Sequence, residues 1–372
     1  MALPFPPFGS PGRDSPKVRT LVLTLVTLCV GAAGGFAFYA LSAPAAFLTG
    51  STALVTLWVV FKLPTHIPDV MRNGTFSVLG MMIGAGITPE GLTHLSALPV
   101  AIVGLFAVIA GATLASYWVL RHVGGWDRLS SLCGSIPGNF SLVVAVSLDQ
   151  GARMERVVMS QVTRLIILVT AVPFALGGAD AAGLRSTAPP DYTLIDVTVT
   201  LGLAFASAYA AKAIRLPAPT MLGPLLTSTV LSGSGLLTIA VPAWLAAIAF
   251  TVLGSSVAVR FSTVTRQGLK RMVAASLLAF LAAFAVAMTI SFVISLIIEA
   301  PLGAVFLGYA PGGLDAMIAL TFLLGFDVAF VALLHATRMI ALAVAVPFVI
   351  ALFADKVRDA DERDTLDAAT PR

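Results

Sequence analysis

Charge is scarce in this sequence. Asp, Glu, Lys and Arg together supply 11% of its 372 residues, against about 25% in a soluble domain. So few charges cannot give a chain of this length a polar surface, which excludes an ordinary soluble globule. Cysteine is nearly missing too. Cys29 and Cys133 each sit inside an apolar run, which excludes a disulfide framework and a thiolate metal site. The four histidines, His66, His94, His122 and His335, are scattered, with no pair at ligand spacing on one helix. No nucleophile elbow, phosphate loop or dinucleotide fingerprint occurs. The expectation is a protein that is not an enzyme and holds no metal or cofactor. The net charge of +4 comes mostly from Lys and Arg in short breaks between apolar runs. No segment can fold the basic surface that duplex binding requires, so no nucleic-acid partner is expected.

What fills the chain is apolar: 58% of residues are hydrophobic and the mean hydropathy is +0.98. A helix needs about 20 apolar residues to cross a bilayer. Spans of this kind fit at 20–42, 44–61, 71–88, 96–120 and 156–177, then at 193–213, 218–238, 242–260, 272–299 and 328–354. Two further apolar stretches, 128–149 and 302–325, are each interrupted by Pro-Gly. The expected fold class is an all-α polytopic membrane protein, with the lipid bilayer as its main partner. Residues 1–19 form a Pro-rich segment with Arg13, Lys17 and Arg19 just ahead of the first span, read as cytoplasmic. No cleavage site stands out after that span, so it is read as an uncleaved anchor. Residues 355–372 are polar and charged, and are read as a solvated, disordered cytoplasmic tail.

The strongest signal is internal. Shifted by 174 residues, 134–174 lies on 308–348 without a gap, and 14 of the 41 positions are identical. Gly134, Pro137 and Gly138 fall on Gly308, Pro311 and Gly312, Gly151 falls on Gly325, and Thr163-Arg164 falls on Thr337-Arg338. Apolar composition explains shared Ala and Val but not aligned Pro, Gly and Arg. With a slip of one residue the match extends upstream, where Pro44 and Gly50 meet Pro217 and Gly223. The chain reads as a duplication, with one membrane repeat at 20–177, a linker at 178–192 and a second repeat at 193–354.

Loop charge then orients the halves. In the first, the N-terminus and the breaks with Lys62, Arg72, Arg121 and Arg128 are basic. In the second the pattern reverses: Lys212 and Arg215 occupy a break that was neutral, and Arg260, Arg266, Lys270 and Arg271 stand where Glu90 stood. Positive loops stay cytoplasmic, so the repeats are expected to be inverted. Each would hold about five transmembrane helices plus one Pro-Gly-broken or re-entrant helix, an arrangement found in secondary transporters.

Candidate site residues follow from the breaks. Pro137-Gly138 and Pro311-Gly312 interrupt helix continuity inside the bilayer. Freed backbone groups at that depth must face protein or a water-filled cavity. Helices restarting at Asn139-Phe140-Ser141 and Gly313-Leu314-Asp315 would aim N–H groups, with partial positive charge, at an anion or carbonyl oxygen. Arg164 and Arg338 fall near mid-span, where a charge costs at least about 2.5–3.5 kcal/mol. Two readings stay open for them: cations facing an anionic ligand, or halves of internal ion pairs, Arg338 with Asp315 or Asp327 and Arg164 with Asp149 or Glu155. Asp315 reads as a helix cap or a proton or sodium site, and His335, matched by Gln161, as a satisfied interior histidine or a proton relay.

At these residues the chain resembles the AbrB family of bacterial membrane proteins. The resemblance covers 20–354. It rests on Ser135-Ile136-Pro137-Gly138 and Ala310-Pro311-Gly312-Gly313, on Gln161-Val162-Thr163-Arg164 and His335-Ala336-Thr337-Arg338, and on the Pro-Ala segments at 44–50 and 217–223. Asn139 and Phe140 depart from the commoner Gly and Leu after the first Pro-Gly, so a first-repeat site would differ. The family is distantly similar to the cation–proton antiporter and anion transporter superfamily, which implies a related fold. It also implies a multi-pass protein of the bacterial plasma (inner) membrane. Family labels mention regulation of gene expression and ammonia monooxygenase, and an unrelated soluble DNA-binding regulator shares the family's name. Three functions therefore stand: a secondary transporter of a small anionic or zwitterionic solute, a membrane sensor acting indirectly on gene expression, and an oxygenase. The coupling ion, proton or sodium, and a homo-oligomeric assembly remain open.

Overall fold

The structure is a computed structural model whose backbone is described for residues 16–87, 97–137, 140–176, 187, 189, 191–263 and 269–369. Side chains are described for the same residues other than 16, 17, 141, 263, 269, 270 and 351–369. The first half holds α1 (Pro16–Ala40), α2 (Ala46–Val60), α3 (Asp69–Ala85), α4 (Leu98–Trp118), α5 (Arg128–Ser135), α6 (Phe140–Asp149) and α7 (Met154–Leu176). The second holds α8 (Leu194–Ala213), α9 (Pro219–Gly233), α10 (Ala243–Val259), α11 (Leu269–Ile298), α12 (Leu302–Tyr309), α13 (Leu314–Leu324) and α14 (Val328–Ala369). A π-helical turn at Val119–Val123 and a 3-10 turn at Arg260–Thr263 extend α4 and α10. Among the described residues every regular element is helical, as the composition predicts.

Each of the ten expected spans appears as a helix. Seven are long and apolar enough to cross a membrane: α1, α4 with its π-helical turn, α7, α8, α10 with its 3-10 turn, α11 and α14. The other three, α2, α3 and α9, have 15, 17 and 15 residues, which at 1.5 Å per residue is only about 22–26 Å. These shorter helices pack on others of the bundle: α2 lies against α10, and α3 against α9. On the outer helices, Leu21, Phe36, Leu114, Leu194, Ile195, Tyr209 and Leu296 are each more than half exposed. So many bare apolar side chains suit lipid rather than water. The polar tail departs from its expectation as coil, because α14 continues to Ala369. Its composition favours this: Ala, Asp, Lys, Arg and Glu follow one another with no Gly or Pro until Pro371, so nothing interrupts the helix.

The two halves share backbone features at matched positions. Five pairs of residues with positive φ recur at matched positions: Ser42 with Arg215, Ala45 with Ala218, Lys62 with Gly235, Gly125 with Glu299, and Gly151 with Gly325. A left-handed backbone is unfavourable for residues other than glycine. Its recurrence at ten matched places is a property of the turns, not of apolar composition. Neighbours are exchanged in the same way. The contact of α2 with α10 is answered by that of α9 with α3, and α1 with α2 by α8 with α9. The glycines make these approaches possible. A Cβ on Gly80 would sit 2.5 Å from the Met221 carbonyl oxygen, and one on Gly254 would sit 2.5 Å from that of Leu48. Both pairs are related by the repeat shift. Small residues let helix backbones touch where apolar burial alone gives no drive between them.

Candidate functional site

The two interrupted helices place the site. Proline has no N–H, so Pro137 cannot bond to the carbonyl four residues back, at Cys133, and Pro311 cannot bond to Leu307. Those two freed carbonyls are buried and need donors. The structure supplies them from the next long helix in each half. Gln161 on α7 donates from Nε2 to the carbonyl oxygens of Cys133 (3.1 Å) and Ile136 (3.0 Å). His335 on α14, at the matched position, bonds through Nε2 to Leu307 (2.9 Å). Each donor lies 24 residues after its proline. With Nε2 donating, His335 Nδ1 carries the lone pair and accepts from Arg338 Nη2 at 2.7 Å. The ring is thus held as a satisfied interior histidine.

The two arginines differ in how they are held. Arg338 donates from Nη1 to Ala310 (2.5 Å) and from Nη2 to Gly312 (2.6 Å). It therefore closes the C-terminal end of α12, where aligned carbonyls leave partial negative charge. Among the described residues Arg164 makes one hydrogen bond, from Nη2 to Gln161 Oε1. The ion-pair alternative does not hold for either arginine. Among the described residues the salt bridges join Arg72 to Asp69, and Arg153 and Arg156 to Asp127, and none involves Arg164 or Arg338. Asp327 instead caps α14, accepting from the Phe330 N–H. Both guanidinium groups remain 93% or more buried, and each keeps a buried Nε with no partner.

Both arginines face one cavity of about 380 Å³. Of the residues expected from sequence, Gln161, Arg164, Gly312, Gly313, Asp315 and Arg338 line it. Pro137, Pro311 and His335 do not; they shape the walls from behind. Gly138, Asn139 and the side chain of Ser141 lie outside the described residues. Asp315 occupies the first turn of α13 without making a capping bond, and its electrostatic partners are Arg260 and Arg72.

Sequence reasoning missed Arg72, Asn73, Thr220 and Arg260, which also line the cavity, as does Phe140 of the first restarting segment. Arg72 and Arg260 were read only as orientation charges, because they stand at helix ends rather than mid-span. They reach the site because α3 packs against both α10 and α13. Their presence was signalled only by being Arg rather than Lys, the residue suited to forked contacts with oxyanions. Their counterparts across the repeat shift are Ala246 and Gly86. The cationic mouth therefore has no equivalent in the opposite half.

Comparison with known proteins agrees with this picture at the level of family. Residues 47–354 match a family model described as "AbrB: Transition state regulatory protein AbrB". A protein of Escherichia coli (strain K12), titled "Putative regulator AbrB", is 24% identical over 316 residues, covering 83% of this chain and 90% of that protein. YhjN of Bacillus subtilis (strain 168) is 25% identical over 360 residues, covering 89% of this chain and 93% of that one. No solved structure matches the chain. With a family match over most of its length and a helical membrane architecture around paired helix breaks, this chain belongs to the AbrB family.

Proposed function

We propose that this protein is a secondary transporter of a small organic anion, held in the cavity between the two helix breaks. One observation carries the reading: Arg164 and Arg338 are buried, have no acidic partner among the described residues, and converge on a common cavity. Leaving buried cations unpaired is costly, so a site that retains two is suited to an anion that arrives. The exchanged neighbours of the two halves and their reversed loop charges support inverted repeats, the architecture of alternating access. The zwitterionic alternative is less well supported, since Asp315 already faces Arg260 and Arg72. The reading assigns no enzymatic step and places the protein in the bacterial plasma (inner) membrane.

The direct test is flux. Purified protein in liposomes should accumulate an organic acid that also raises its melting temperature, and an imposed proton or sodium gradient should drive the uptake. A second reading, a membrane sensor that acts on gene expression, draws on the names of the family model and of the Escherichia coli relative. Saturable binding with no flux under either gradient would favour the sensor. Topology offers a separate check. Reporter fusions after Gly183 and at the C-terminus are expected to report opposite sides of the membrane, with both termini cytoplasmic. The same side for both fusions would end the inverted-repeat reading.

A further inference from the structure

Building on the anion-site reading above, we infer that the ligand is a compact dianion, carrying two negative charges on oxygen as a short dicarboxylate or a phosphate or sulfate group does.

Five charged side chains line the cavity: Arg72, Arg164, Arg260, Arg338 and Asp315. At the mouth the charges are answered. Arg72 bonds Asp69 at 2.9 Å, and Arg260 and Asp315 attract each other. In the depth they are not. Arg164 and Arg338 have no acid within 4.0 Å among the described residues, and each feels only neutral acceptors and the repulsion of the other.

Helix dipoles do not change the count. The C-terminal ends of α5 and α12 bring partial negative charge of about half a unit each, and the N-terminal ends of α6 and α13 bring the opposite. These four ends meet at the two breaks, so their contributions largely cancel. Two positive charges remain in a low-dielectric site, where each is worth far more than in water. A monoanion would leave one of them unanswered, and a dianion would leave none. The cavity of about 380 Å³ lies at the small end of ligand pockets, so the two charges must be close together in the ligand. Planar, forked guanidinium groups suit carboxylate and phosphate oxygens alike.

The test compares ligands that differ by one charge at constant size. Succinate is set against succinamate, in which an amide replaces one carboxylate, with inorganic phosphate and sulfate as separate arms. Binding to the full-length protein in detergent is read by titration calorimetry and melting temperature at pH 7.5 and fixed ionic strength. The expected result is a dianion bound at least about tenfold tighter than succinamate, the scale of one added charged hydrogen bond. Arg164→Gln should shrink that preference to about threefold or less. Succinate binding with phosphate and sulfate silent assigns a dicarboxylate, and the converse assigns a phosphoryl or sulfuryl group. Equal affinity for succinate and succinamate, both lost in Arg164→Gln, would overturn the dianion while leaving the anion site standing. Failure of every anion to bind would overturn the anion site and the dianion together.

Discussion

Replacing Arg338 with Gln is expected to destabilise the fold by about 2–4 kcal/mol, because a buried polar group left unpaired costs about 1–3 kcal/mol. Three acceptors lose their donor at once: the Ala310 and Gly312 carbonyl oxygens and His335 Nδ1. A shorter, neutral amide cannot span all three. The lower part of the free-state range applies, since hydrogen bonds between membrane helices average about 0.6 kcal/mol and reach about 1.7. The loss should appear as a lower melting temperature in detergent, without any ligand present. Arg338→Lys should recover part of it, because an ammonium can approach one carbonyl but lacks the fork that reaches two. A variant as stable as the parent would show that Arg338 does not hold the break together.

Arg164→Gln is expected to do the opposite: to fold normally and to lose ligand. Among the described residues its guanidinium donates once, to Gln161, and that glutamine keeps its own bonds to Cys133 and Ile136 after the change. The stability cost should therefore stay within about 1 kcal/mol. The energetic weight of Arg164 lies in the cavity, where a charged hydrogen bond contributes about 1.5–3 kcal/mol, so affinity should fall roughly 10–100-fold. Calorimetry on the folded variant measures this separately from stability. Equal destabilisation by the two substitutions would remove the distinction between a structural and a ligand-facing arginine. An Arg164→Gln, Arg338→Gln double variant that folds and binds ligand normally would end the assignment of the cavity as the site.

The relation between the two halves explains this division. Pro137 and Pro311 free equivalent carbonyls, but the halves answer differently. Gln161 can donate twice from one amide nitrogen and so bonds both Cys133 and Ile136. His335 has one donor to give, to Leu307, and leaves Ala310 to Arg338. The difference between Gln and His at one matched position thus decides which arginine also ties down the backbone, while both keep their charge on the cavity.

Much of this was determined by the sequence alone. Low charge and long apolar runs fix a helical membrane protein, because only internally bonded backbone survives in lipid. Matched Pro, Gly and Arg positions mark the two helix breaks, since proline removes the same hydrogen bond wherever it stands. Even the repair was legible in part: the spacing of 24 residues from Pro137 to Gln161 and from Pro311 to His335 is visible in the letters. Which carbonyl each side chain reaches was not, because it depends on how α7 lies beside α5 and α14 beside α12. Nor could sequence choose between ion pair and cavity for Arg164 and Arg338, since Asp315, Asp327, Asp149 and Glu155 all lay at plausible separations. The tertiary structure decided it by turning Asp315 toward Arg260 and Arg72 and using Asp327 as a helix cap. It also drew Arg72 and Arg260, distant in sequence, to the cavity mouth. Charge scarcity is a property of composition. Charge compensation is a property of distance, and distance exists only once the helices have packed.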